Sequence, residues 1–253
     1  MRIAVAGGTG WAGRLVVDAI GEAGHEAVVI ARSQGVDLTT GQGLDAALAG
    51  VDVVVDTTNI VTTNRAKAEE FFAATTGRLL QAGQAAGVGH HVVLSIVNCD
   101  RVDLGYYYGK RRQEALVAAG PVPYSILRVT QFHEFAAQML ARGGPIVLAP
   151  RMLCRPIALT EVAQALLDLA VDRPAGLAPD LAGPEEQEMV SMIRRLHHAR
   201  GGRRPVVPLR IPGAAGRAVA GGGLLPLGDA TLGAQTFDAW VEEDAAARQE
   251  DAV

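Results

Sequence analysis

Met1-Arg-Ile-Ala-Val-Ala-Gly-Gly-Thr-Gly-Trp-Ala-Gly13 opens the chain and decides how the rest is read. Residues 3–6, Ile-Ala-Val-Ala, form an apolar run that reads as a buried strand. Gly7, Gly10 and Gly13 follow at a spacing of three. Beyond them Leu15, Val16, Ala19 and Ile20 recur at the spacing of one helix face. Strand, glycine turn and helix in that order form the context of a dinucleotide site. The first glycine permits the tight turn, the second lets backbone amides approach a diphosphate, and the third lets helix and strand pack closely. The helix N-terminus adds unpaired N–H groups and a partial positive charge. A ligand-free βα turn can use the same glycines, so the order of the flanking elements carries the reading.

With 253 residues, 49% hydrophobic and 20% charged, the chain is long and apolar enough for one large α/β domain with a sizeable core. A formal net charge of −4 speaks against a general nucleic-acid or anionic-membrane binder, which needs a basic face. No apolar run reaches the ~20 residues of a membrane span, and no basic-then-apolar leader is read. Cys99 and Cys154 stand alone, outside any zinc spacing, and read as small buried side chains. The expectation is a cytoplasmic, metal-free protein acting on a small molecule, with its oligomeric state open.

Strand and helix signals alternate along the first 170 residues. Strands are expected at 25–31, 51–56, 91–96 and 124–129, and helices at 44–49, 67–86, 107–119 and 160–171. Strands that are continuous apolar runs separated by helices imply a parallel sheet covered on both faces, and right-handed crossovers make it doubly wound. The fold class is therefore α/β, a Rossmann-type doubly wound sheet, read as a single domain. Residues 131–155 and 184–243 are expected to contribute a small substrate-covering lobe, with helices at 132–141, 183–199 and 231–243. A short strand is read at 145–148, little periodicity at 201–228, and an acidic tail prone to fraying at 244–253.

Residue 32 bears on which nicotinamide dinucleotide is used. An NAD site usually places Asp or Glu at the end of the second strand, for the ribose 2′-hydroxyl. Here Arg32 and Ser33 occupy that place, and an arginine binds a 2′-phosphate bidentately. NADP(H) is thus expected over NAD(H). Asp37 and Leu38 lie where the chain passes the adenine edge. Thr57, Thr58 and Asn59, after the strand ending at Asp56, are placed to line the ribose and diphosphate.

Tyr106 and Lys110 form a Tyr-x-x-x-Lys pair on one helix face. An ammonium beside a phenol lowers its pKa and readies it for proton transfer. A solvated basic turn with packed aromatics would look similar, since Tyr107, Tyr108, Arg111 and Arg112 are neighbours. Ser95 lies inside an apolar strand, where it serves the site or a backbone group, and Asn98 is a substitute donor. His133, in Gln131-Phe132-His133-Glu134, is read as a catalytic acid or as a helix-start residue bonded to backbone. His90-His91 and His197-His198 read as surface polar residues. Arg194, Arg195, Arg200, Arg203, Arg204 and Arg210 make a basic stretch, read as a solvated face or as a patch for an anionic substrate or partner.

Together, Gly7-x-x-Gly10-x-x-Gly13, Arg32-Ser33, Asp37-Leu38, Tyr106-x-x-x-Lys110 and Ser125-Ile-Leu-Arg128 resemble the atypical short-chain dehydrogenase/reductases, and among them the NmrA-like and NADPH quinone-reductase-like members. The likeness spans nearly the whole chain and includes residues 156–163 and Gly183-Pro184-Glu185. It implies that Gly7, Thr9, Gly10, Trp11 and Gly13 hold the diphosphate, and Arg32 and Ser33 the 2′-phosphate. It further implies that Lys110 holds the nicotinamide ribose and that Val129, Thr130, Gln131 and Phe132 shape the nicotinamide pocket. The serine usual before the tyrosine helix is missing or displaced to Ser95, also read at the cofactor. The expected activity is an NADPH-dependent reduction of a small carbonyl, quinone or polyketide-like substrate, with Tyr106 or His133 as proton donor. The alternative is a sensor that binds NADP(H) without turnover.

Overall fold

Strand and helix alternate through the first 129 residues of the computed structural model, which describes residues 1–250. In order come β1 (Arg2–Ala6), α1 (Trp11–Glu22), β2 (Glu26–Ile30), α2 (Leu44–Leu48), β3 (Val53–Asp56), α3 (Arg65–Ala86), β4 (His90–Ile96), α4 (Gly105–Ala118) and β5 (Tyr124–Val129). Then follow α5 (Glu134–Ala141), β6 (Val147–Pro150), β7 (Leu153–Cys154), α6 (Leu159–Val171), β8 (Gly176–Leu177), β9 (Leu181–Ala182), β10 (Gln187–Glu188), α7 (Met189–Ala199), β11 (Val206–Leu209), α8 (Gly213–Ala220), β12 (Thr231–Leu232) and α9 (Phe237–Glu250).

The chain divides into two units. The first holds Met1–Val129 and Thr160–Pro179. Its strands form an all-parallel sheet in the order β8-β5-β4-β3-β1-β2. Every residue of β3 is buried, as a central parallel strand covered on both faces requires. On one face Ala4, Ala6, Val54, Val93 and Ile126 pack with Leu44, Leu48, Leu79 and Val117 from the helices. Burial of each such Val, Leu or Ile side chain contributes about 1.5–3 kcal/mol. Strand order reverses between β1 and β3, so the crevice outside their C-terminal ends is the place for a ligand. α3 starts at Asn64, whose side chain accepts from Lys67 N, and stops at Gly87, whose φ of 79° suits glycine.

His90 and His91 are not surface residues. They begin β4 and are 4% and 1% exposed. His90 Nε2 meets Ser125 Oγ at 2.9 Å, and Ser125 Oγ also accepts from Ala175 N. His91 Nε2 lies 3.9 Å from Asp56 Oδ2, and burial pushes its pKa down.

The second unit holds Thr130–Leu159 and the chain from Asp180 onward. It contains the parallel pairs β6–β11 and β9–β12 and the antiparallel pair β7–β10. Three elements differ from the sequence pattern. Residues 183–186 are irregular and α7 begins only at Met189, because Gln187 and Glu188 are taken up as β10, paired with Leu153 and Cys154. The stretch 201–228 contains β11 and α8, too short to show periodicity. Thr231 and Leu232 are a strand, and α9 starts after Thr236, whose hydroxyl accepts from Ala239 N. The acidic stretch at 244–250 continues α9. Asp244 pairs with Arg200 at 2.6 Å and with Arg248 one turn on at 3.2 Å. Residues 251–253 of the expected tail lie outside the described residues.

The basic stretch is largely spent inside this unit. Arg195 pairs with Asp238 and bonds Gln187, Arg200 pairs with Asp244, and Arg204 donates to the carbonyls of Leu140 and Arg142. Among the described residues no helix is long and apolar enough to cross a membrane, and no group of His, Cys, Asp or Glu is arranged to hold a metal ion.

Candidate active site

The glycine turn is built by backbone contacts that side chains would prevent. Gly7 has φ of +76° and donates from N to Ile30 O, while Gly10 N donates to Gly7 O at 2.8 Å. A Cβ on Gly13 would lie 2.2 Å from Gly7 O. α1 therefore starts directly over the end of β1. Its N-cap is Gly10, with no side chain capping it and no acidic residue in its first turn. The first amides and the positive end of the helix dipole are left for an anion. Thr9, Gly10 and Trp11 are exposed around them, which fits a diphosphate.

Arg32 and Ser33 lie exposed on a 3-10 turn just after β2. Asp37 is held by its own loop. Thr39 donates to it from N and Oγ1, and these bonds, with the charge of Arg32, keep its carboxyl below the usual range. Leu38 turns inward and joins Val36, Leu44 and Leu48 in the core. Thr57 donates from N and Oγ1 to Ala6 O, which ties the ends of β1 and β3. Thr58 is 5% exposed and bonds Asp56 Oδ1 from N and Oγ1. Of the three residues after β3, only Asn59 is exposed. It accepts from Tyr106 Oη at 2.7 Å.

Tyr106 and Lys110 both pack on Phe72. The Tyr106 ring lies 5.9 Å from the Phe72 ring, and Lys110 Nζ is 4.7 Å from its centre. The phenol is not lowered by an ammonium. Burial, then Tyr107 and Cys99, push its pKa up. Lys110 is 4% exposed and donates to Leu94 O and Gln113 Oε1, each at 2.8 Å, so two of its three N–H donors are taken. Burial depresses its pKa to about 8. Gln113 Nε2 in turn donates to Asp56 Oδ2 at 2.9 Å, making a buried chain from Lys110 to the Thr57-Thr58 turn.

Ser95 is bonded to a carboxylate. It is 1% exposed and donates to Glu114 Oε1 at 2.5 Å. Arg128 grips the same carboxylate with Nε at 2.9 Å and Nη2 at 2.6 Å, a bidentate pair, and Cys99 Sγ adds a longer contact. Cys99 and Cys154 are buried free thiols, with pKa values pushed up to about 12 by burial, so neither is a thiolate. Asn98, at the end of β4, is buried and takes φ of 55°, which a non-glycine residue rarely adopts.

In the second unit, His133 is fully buried. Its Nε2 lies 3.1 Å from Gln235 O and its ring packs on Phe237 and Trp240. Thr130, 2% exposed, donates from N to Leu181 O and from Oγ1 to Arg155 O. Val129, in the first unit, is 1% exposed. Gln131 and Phe132 are half-buried.

Glu134, next to His133, is held protonated to about pH 7 because burial outweighs the bond from Trp240. The folded chain then binds a proton between pH 4.5, the ordinary value, and about 7. Stability attached to this group is present at low pH and lost as pH rises through that window. Glu134→Gln keeps the shape without the charge. Its melting temperature is expected to match wild type near pH 5 and exceed it near pH 8. Parallel melting curves at the two pH values would refute this.

Sequence reasoning missed the network of Asp56, Gln113, Glu114 and Arg128. The signal was present in α4, where Tyr107, Lys110, Glu114 and Val117 share a stripe that should be apolar if it faced only a core.

Residues 3–97 match the model of the NAD dependent epimerase/dehydratase family. No curated protein matches the sequence. Among solved structures, a short-chain dehydrogenase/reductase superfamily protein from Agrobacterium tumefaciens with bound NAD shares 20% identity, with TM-score 0.70 over 100% of this chain and 98% of that one. UDP-N-acetylglucosamine 4-epimerase from Bacillus cereus shares 17%, with TM-score 0.72 over 98% and 96%. A new type of NADPH-dependent quinone oxidoreductase from Escherichia coli shares 17%, with TM-score 0.64 over 95% and 98%. The chain has the Rossmann-type fold of the short-chain dehydrogenase/reductases, and the family match in its first unit supports an NAD(P)-dependent enzyme.

Proposed function

We propose that this chain, with its short-chain dehydrogenase/reductase fold, is an NADPH-dependent reductase of a small carbonyl, quinone or polyketide-like substrate. The observation that carries the cofactor preference is Arg32. It stands exposed at the end of β2 with Ser33 beside it, where a protein made for NAD places a carboxylate. Gly7, Gly10 and Gly13 with the first turn of α1 would hold the diphosphate, Arg32 and Ser33 the 2′-phosphate, and the third N–H of Lys110 the ribose. A bound dihydronicotinamide supplies hydride. The chain supplies the proton, from Tyr106. Burial keeps this phenol protonated at neutral pH, the form a donor needs in the reducing direction.

Arg32→Ala tests the preference. Loss of a charged, bidentate contact should weaken NADPH by about 10–100-fold and change NADH by less than about threefold. Equal losses for the two dinucleotides would overturn the 2′-phosphate assignment. One observation favours a second reading, an NADP(H) sensor without turnover. Ser95 is committed to Glu114, so the usual serine of the catalytic set is not presented. Tight NADPH binding without turnover on quinones or aldehydes would select that reading.

A further inference from the structure

A reduced carbonyl needs donors at its oxygen, where negative charge grows as hydride arrives. Tyr106 supplies one. The sequence's candidate for a second, Ser95, is buried and gives its hydrogen to Glu114. The side chain that does meet the phenol comes from the loop after β3. Tyr106 Oη donates to Asn59 Oδ1 at 2.7 Å. With that oxygen accepting, the Asn59 amide keeps its N–H₂ group beside the phenol, on an exposed residue. The two elements that carry the pair are fastened to each other. Gln113 of α4, to which Lys110 donates, itself donates to Asp56, and Asp56 accepts from Thr58, next to Asn59. Gly105, at the start of α4, sits where a Cβ would meet Thr63 O at 2.0 Å. Such a frame fixes donor positions closely.

We infer that Asn59 is the second donor of the site, its amide N–H₂ binding the substrate oxygen that Tyr106 protonates, in place of the hydroxyl that Ser95 withdraws. This rests on the reductase reading. The hydride of the bound dihydronicotinamide makes the new C–H bond, leaving the oxidised dinucleotide. The carbonyl π pair moves to oxygen, the Tyr106 hydroxyl turns its hydrogen from Asn59 Oδ1 to that oxygen, its O–H bond breaks to make the product O–H, and the phenolate takes a proton back from water. Asn59 gains and loses no atoms and holds the oxygen as its charge grows. The substrate it fits has an unhindered carbonyl oxygen, as in an aldehyde or quinone.

Asn59→Ala removes both the acceptor and the donor. Asn59→Asp keeps the acceptor for Tyr106 and removes the amide donor. With NADPH and a panel of quinones and aldehydes, including 9,10-phenanthrenequinone, both variants should lower kcat by about 10²–10³-fold. Any change in their Kd for NADPH should be far smaller than the loss in kcat. A readout without turnover is the Kd of the same quinone for the protein–NADP⁺ complex, followed by tryptophan fluorescence. It should weaken about two- to tenfold in both variants. Wild-type kcat and quinone Kd in Asn59→Asp would overturn the donor role while leaving the reductase reading intact. A wild type inert across the whole panel would overturn the reductase reading and this role with it.

Discussion

Tyr106→Phe is expected to lower kcat by about 10²–10⁴-fold, the range of a lost general acid, with the Kd for NADPH within about twofold of wild type. The ring still fills its place against Phe72 and Tyr107, so the loss is confined to the hydroxyl and its bond to Asn59. The neighbouring tyrosines have other tasks. Tyr107 is buried, and Tyr108 lies between the guanidinium groups of Arg65 and Arg111, at 3.7 and 4.5 Å. Tyr108→Phe should therefore leave kcat near wild type. Steady-state kinetics beside equilibrium dinucleotide binding make the check. Unchanged turnover in Tyr106→Phe would remove the phenol from the chemistry.

Gly13→Ala is expected to weaken NADPH binding by more than about tenfold and to lower the melting temperature by roughly 2–12 °C. The added Cβ would stand 2.2 Å from Gly7 O and 2.8 Å from the Gly8 Cα, both backbone atoms that cannot swing aside. Overpacking of this kind costs about 1–3 kcal/mol, and a chain of this size loses about 2–4 °C per kcal/mol. The turn must also shift, which misplaces the amides meant for the diphosphate. Gly21→Ala, on the same helix, is the control. Its Cβ meets nothing within 4 Å, so the gain in helix propensity should raise stability slightly. A Gly13 variant that melts and binds like the control would show that close packing of α1 on the turn is not required.

The sheet and the glycine turn were legible because their signals are local. Apolar runs such as residues 53–55 mark buried strands wherever they occur, and Gly7, Gly10 and Gly13 are adjacent in sequence. The site was legible only in part, because its geometry depends on partners far along the chain. Ser95 and Glu114 are 19 residues apart, and Asp56 and Gln113 are 57 apart. No period in the sequence reports which strand residue a helix carboxylate will face. His133 is similar. Its neighbours Gln131 and Phe132 gave it the look of a pocket residue, but Gln235, Phe237 and Trp240, about a hundred positions later, enclose it. Asn59 was noticed for its place after a strand. Its bond to Tyr106 depends on how β3 and α4 are juxtaposed, which the sequence does not state.

The most direct test of the account is equilibrium titration of the whole protein with NADPH and with NADH. Saturable binding of NADPH at least about tenfold tighter than that of NADH is expected, with the difference erased by Arg32→Ala. Binding of neither dinucleotide would contradict the reading of the glycine turn and every functional claim built on it.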